Sequence, residues 1–161
     1  MNHIELHYSL QKGGFKLEVD TRIPAVGITG VFGESGSGKT TLLRCIAGLE
    51  ASTDGDLRPV HQRRIGYVFQ ESQLFPHLTV QKNLEYGRRR NPDARRSIAE
   101  FASILEVDRL LDRSVSDLSG GEAQRVCIAR VLCQEPQLIL MDEPLSALDT
   151  RRRSNMLPYL S

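Results

Sequence analysis

Hydrophobic and polar positions alternate along Ile4–Leu10 (IELHYSL) and again along Phe15–Asp20 (FKLEVD), with Gly13-Gly14 between them. Period-two alternation around a glycine pair predicts two strands joined by a tight hairpin across Gln11–Gly14. The next apolar stretch, VGITGVF from Val26 to Phe32, is more continuous. A run of that kind predicts a strand covered on both faces of a parallel sheet, the first parallel strand of the fold. A helix is then expected from Thr40 to Leu49, stopped near Gly48, followed by a loop or short hairpin across Ala51–Arg64. IGYVF, from Ile65 to Phe69, is the next buried-strand candidate.

From Thr79 to about Leu132 the apolar spacing changes to three and four residues, which predicts helices. The segments are TVQKNLEYG with Thr79 as a cap, ARRSIAEFASIL, and GEAQRVCIARVLC. QLILMDEP then restores a short buried strand over Leu138–Met141, closed by two carboxylates and a proline. The alternation implies an α/β fold: a mostly parallel sheet, an antiparallel β element at the N-terminal end and a helical middle. The expected division is a core of 1–70 and 134–161 with a helical subdomain of 71–133, all within one domain.

Composition narrows the class. A chain of 161 residues with a net charge of +1 carries one core and no dedicated nucleic-acid surface. No run approaches the roughly 20 apolar residues of a membrane span, and the first residues lack a signal-peptide layout, so a cytosolic chain is expected. Cys45, Cys127 and Cys133 are odd in number and form no CxxC pair, so they are expected as small buried hydrophobes rather than disulfides or zinc ligands.

The chemistry is carried by three clusters. Gly33-Glu34-Ser35-Gly36-Ser37-Gly38-Lys39-Thr40 fits GxxxxGK(S/T), whose glycines turn backbone N–H groups inward at a helix start that already favours an anion. Lys39 is placed to reach the β- and γ-phosphates, Thr40 to ligate magnesium and Thr41 to donate to the α-phosphate. Asp142, at a strand end, is placed to orient the metal, and Glu143, one step on, to accept a proton from an attacking water. LSGGEAQRV, Leu118–Val126, puts Ser119, Gly120 and Gly121 at a second helix start, again an anion site with an added hydroxyl. Ser119 and Glu122 also fit a capping box, which is compatible with phosphate contact. Two phosphate sites on one chain are most economically joined by a head-to-tail pair.

GESGSGKTT, YVFQ, LSGGEAQRV, LILMDEP and SALD occur in the order and rough spacing of the ATP-binding subunits of ABC transporters, which this chain resembles. The resemblance implies a P-loop ATPase fold, ATP and magnesium as ligands, a homodimer, and integral-membrane permease subunits as partners on the inner face of the cell membrane. It makes Gln70 the glutamine that senses magnesium and the attacking water, and Leu145–Asp149 the loop along the dimer seam. Tyr8 is the first candidate to stack on adenine, with Phe15 the alternative. QLFPHLTV, including His77, would face the permease. GYVFQESQLFPHLTVQKNLEYG, LLDRSVSDLSGGEAQRV and MLPYL look more narrowly like the ATPases of bacterial molybdate importers.

One departure from that pattern stands out. The chain stops twelve residues beyond Asp149, and none of His3, His7, His61 and His77 follows the acidic strand. The resemblance would place there further strands, a γ-phosphate histidine and a regulatory domain, so an incomplete domain is expected. The competing expectation is a nucleotide-binding remnant without efficient hydrolysis.

Overall fold

A computed structural model describes residues 3–51 and 58–143. Leu145–Asp149 lies outside the described residues. The chain divides into two compact units, one reaching to Arg64 and one beginning at Ile65.

In the first unit, β1 (His3–Lys12) and β2 (Phe15–Pro24) form the expected antiparallel hairpin, with Lys12 opposite Phe15 and Tyr8 opposite Val19. Gly13, at φ 59°, supplies the left-handed turn that closes it. Leu6, Tyr8 and Leu17 are its buried side chains. Helix α1 (Lys39–Ala47) begins at Gly38 and stops at Gly48, where φ of 77° lets the amide bond back to the Cys45 carbonyl at 3.0 Å.

Val26–Phe32 departs from the sequence expectation. It forms no strand among the described residues, and Val26, Ile28, Val31 and Phe32 are exposed, Phe32 to 93%. The two sheets of the described residues contain only the pairs β1–β2 and β3–β4. A parallel strand exists only through hydrogen-bonded neighbours from distant parts of the chain, and an apolar run alone cannot supply them.

In the second unit, β3 (Ile65–Val68) pairs in parallel with β4 (Leu138–Met141), Ile65 opposite Leu138 and Val68 opposite Met141. Between them run α2 (Val80–Arg88), α3 (Ile98–Ile104) and α4 (Gly120–Leu132). Thr79 caps α2 as expected, its hydroxyl accepting from the Lys82 amide at 3.3 Å. Helix α3 starts later than the ARRSIAEFASIL pattern suggests. Ser97 and Glu100 close a capping box that sets the start at Ile98.

Helix α4 is the spine of this unit, burying Val126, Ile128, Ala129, Val131 and Leu132. Helix α2 lies close against it at Gly87, where an added Cβ would come within 2.2 Å of the Arg130 carbonyl. The three cysteines are buried and unbridged, and burial pushes the Cys133 thiol up to about 12. They are inert core residues, as their composition suggests.

Candidate functional site

The phosphate loop lies in the first unit. Gly36 and Gly38 have φ of 81° and 94°, conformations that L side chains rarely adopt. A Cβ on Gly33 would meet the Ser37 hydroxyl at 2.7 Å, and one on Gly38 would meet the Phe15 ring at 2.8 Å. The turn is closed by the Ser37 amide donating to the Glu34 carbonyl at 3.2 Å. Lys39 Nζ folds back over it, donating to the carbonyls of Gly33 at 2.9 Å and Glu34 at 2.8 Å. Helix α1 then begins with no side-chain cap and no acid in its first turn. A helix start without a side-chain cap, an ammonium and a turn tight at Gly33 and Gly38 suit a phosphate group. Ser35 is exposed on this loop, and Thr40 and Thr41 occupy the helix's first turn.

The two aromatic candidates differ in placement. Tyr8 is only 8% exposed. Phe15 is half-buried and lies beside Gly38, at the loop itself.

The acidic cluster lies in the second unit, at the ends of β3 and β4. The Asp142 amide donates to the Val68 carbonyl at 3.0 Å, which extends the parallel ladder by one bond into a residue only 8% exposed. Glu143 follows in a left-handed conformation, φ 49°, costing on the order of 1 kcal/mol for a non-glycine residue. Gln70 Nε2 donates to Glu143 Oε2 at 3.3 Å. Residues 73 positions apart are thus brought together by strand pairing. Tyr67 was missed by sequence reasoning: its hydroxyl donates to Asp142 Oδ2 at 3.4 Å. Nothing in IGYVF signals that partner, because it arises from the register of β3 on β4.

Magnesium takes one or two protein oxygens and completes its shell with phosphate and water. Among the described residues no cluster of three His, Cys, Asp or Glu forms a closed metal cage. A single oxygen donor such as Asp142 is of the kind that open mode of binding uses.

Ser119 caps α4 in a complete box. Its amide and hydroxyl both donate to Glu122 Oε2, at 2.8 and 2.7 Å, while the Glu122 amide donates back to the hydroxyl at 3.4 Å. These bonds hold the Glu122 carboxyl below its usual range, the side-chain bond from Ser119 first. Gly120 and Gly121 form the first turn, and a Cβ on Gly120 would meet nothing within 4 Å. The segment after Gln70 is fixed to the helices: buried Asn83 accepts from the Phe75 amide at 2.9 Å and donates to its carbonyl at 3.2 Å, and Ser72 donates to buried Gln124 at 3.0 Å.

Comparison with known proteins agrees with these motifs. A family model described as ABC transporter matches residues 17–146. The molybdenum import ATP-binding protein ModC of Thiobacillus denitrificans is 52% identical over 172 positions, covering 98% of this chain and 48% of that one. ModC of Aromatoleum aromaticum is 49% identical, with 98% and 46% covered. The chain therefore spans about half the length of the curated relatives it matches. Among solved structures, an inward-facing putative metal-chelate type ABC transporter superposes with a TM-score of 0.73 at 28% identity, covering 99% of this chain and 67% of the other. A dimeric ATP-binding cassette in a post-hydrolysis state with ADP and phosphate superposes at 0.76 and 28%, with 96% and 78% covered. With its family model covering most of its length, its nearly full-length match to ModC proteins and its P-loop ATPase neighbours, the chain belongs to the ABC transporter family.

Proposed function

We propose that the chain is the ATP-binding subunit of an importer and hydrolyses ATP at a head-to-tail dimer interface to drive uptake of molybdate or a similar oxyanion. The observation that carries this reading is the convergence of Gln70, Asp142 and Glu143 at one end of the β3–β4 pair. The 52% identity to a ModC protein supports the oxyanion. In this reading 1–70 and 134–161 form the nucleotide-binding core and 71–133 the helical subdomain.

Amides of Gly33–Thr41 cradle the phosphates, and Lys39 neutralises charge on the β- and γ-groups. Thr40, Asp142 and Gln70 are the residues that would hold magnesium, which when bound would polarise the terminal phosphate. Glu143 accepts the proton of the attacking water, with Gln70 aligning its carboxylate. Ser119, Gly120 and Gly121 of a second copy close on the γ-phosphate. Phe15, half-buried beside Gly38, is the better candidate to meet the adenine than the more deeply buried Tyr8.

The chain acts from the cytoplasmic face of the membrane, through permease subunits. Phe75 belongs to the QLFPHLTV segment that would meet them. Its ring packs on Tyr86 at 4.5 Å, edge-on to His77 at 6.2 Å and under the Arg130 guanidinium at 5.1 Å. No described helix is long and apolar enough to cross a membrane itself.

The test is magnesium-ATP binding and steady-state hydrolysis by the 161-residue chain beside Lys39→Ala and Glu143→Gln. Turnover that Glu143→Gln abolishes while nucleotide is still retained supports the reading. Lys39-dependent binding without turnover leaves a nucleotide-binding module, and no binding refutes both.

A further inference from the structure

Among the four α-helices of the described residues, α1 alone starts without a side-chain cap; Thr79, Ser97 and Ser119 cap the other three. A nine-residue helix is shorter than the roughly 12–15 residues below which an isolated helix is marginal. Its first amides are the ones that cradle phosphate, so capping them with a side chain would compete with that use. Whatever holds the helix must act at its other end.

That end is unusually well tied. The Gly48 amide donates to Cys45 O at 3.0 Å and the Leu49 amide to Arg44 O at 2.8 Å. Arg63, fifteen residues beyond Gly48, then reaches back: Nη1 donates to Ile46 O at 2.9 Å and approaches Cys45 O at 3.5 Å. Its Nε donates to Arg58 O at 2.8 Å, so one planar guanidinium ties the end of α1 to the turn that precedes β3. It also sets a cation at the negative pole of the helix dipole. The plane rests on the bare face of Gly48, where an added Cβ would lie 2.5 Å from Arg63 Cζ. Gly48 is therefore required twice, for its φ of 77° and for this contact.

We infer that Arg63 is a positioning residue for nucleotide binding: it anchors the C-terminal end of α1 and thereby holds Lys39, Thr40 and Thr41 in place at the other end. Helix α1 is about 13 Å long, short enough to transmit displacement of one end to the other as a rigid rod. The inference rests on the nucleotide-binding reading above. It adds a residue that touches neither phosphate nor metal.

The experiment is equilibrium binding of a fluorescent methylanthraniloyl-ADP to the full chain, measured well below the melting temperature of each variant. Arg63→Met is expected to weaken binding about three- to tenfold, the loss corresponding to one or two such hydrogen bonds. Arg63→Lys recovers part of this, because an ammonium reaches one carbonyl but cannot fork across two segments. Gly48→Ala reproduces the Arg63→Met defect, and exposed Arg64→Met leaves binding unchanged. Binding by Arg63→Met within twofold of the parent, in an assay where Lys39→Ala abolishes it, overturns the positioning role and leaves the nucleotide reading intact. Equal losses in Arg63→Met and Arg64→Met also overturn it, since net charge alone would then explain the effect. Full binding by Lys39→Ala refutes the nucleotide reading and this proposal with it.

Discussion

Helices α1 and α4 both begin with glycine and serine, and their first turns are arranged in opposite ways. At α1, Gly38 supplies no side-chain cap and Lys39 arches over the loop. At α4, Ser119 and Glu122 satisfy each other, and a carboxylate already sits against the amide and hydroxyl that an incoming phosphate would use. The first start is open to an anion and stabilised from behind, by Gly48 and Arg63. The second is stable by itself and must yield its own carboxylate to take an external one. Under the proposed function, the first start would be a permanent phosphate site and the second a conditional one.

The comparison breaks most severely at Gly38. Gly38→Ala adds a Cβ at φ 94° and 2.8 Å from the Phe15 ring. Strain of this kind costs roughly 1–3 kcal/mol, and we expect at least tenfold weaker nucleotide binding in a fluorescence titration. Binding equal to the parent would mean that the left-handed turn is dispensable.

Ser119→Ala removes the cap of α4 and should cost about 1 kcal/mol of stability, read by denaturant unfolding, while nucleotide binding by the isolated chain stays intact. That pairing of effects is the reverse of the one expected at Lys39.

Glu122→Gln is a smaller change that sharpens the contrast. An amide oxygen keeps the capping geometry without the negative charge, so unfolding should shift by only a few tenths of a kcal/mol. ATP-dependent self-association, followed by light scattering, should strengthen two- to fivefold as repulsion between carboxylate and phosphate is removed. Unchanged association would show that the carboxylate does not compete.

The smallest effect is in acid. The folded Glu122 carboxyl lies below its ordinary value of 4.5, so its contribution is present above that value and is lost as the pH falls through the lowered folded value. An NMR titration of the Glu122 side chain should give a midpoint below 4.5 in the parent chain and one returning toward it in Ser119→Ala. The α1 start, which has no acid in its first turn, should show no counterpart.

Legibility in the sequence followed the range of the interaction. Thr79, Ser119–Glu122 and Gly48 were readable because a cap and its partner lie within a few residues, and the chemistry of each side chain states the geometry. The glycine spacing of the phosphate loop was readable for the same reason. Helix α3 was predicted too long because a three- and four-residue apolar rhythm continues past the point where the Ser97 box sets the start.

Val26–Phe32 shows the opposite case. Its composition is that of a buried strand, yet strand formation depends on neighbours, and no partner for it lies among the described residues. Tyr8 likewise has the composition of a stacking residue, and only folding of the hairpin decided that its ring is buried.

The sequence by itself determined the caps at Thr79 and Ser119, the stop at Gly48, the glycine spacing of residues 33–38, the two carboxylates after Met141 and the family, since each is written in contiguous residues. Tertiary structure alone decided that Gln70 meets Glu143, that Tyr67 meets Asp142 and that Arg63 closes the end of α1. The physical reason is that these contacts join residues 17 to 75 positions apart, and their partners are selected by strand register and helix packing rather than by local preference.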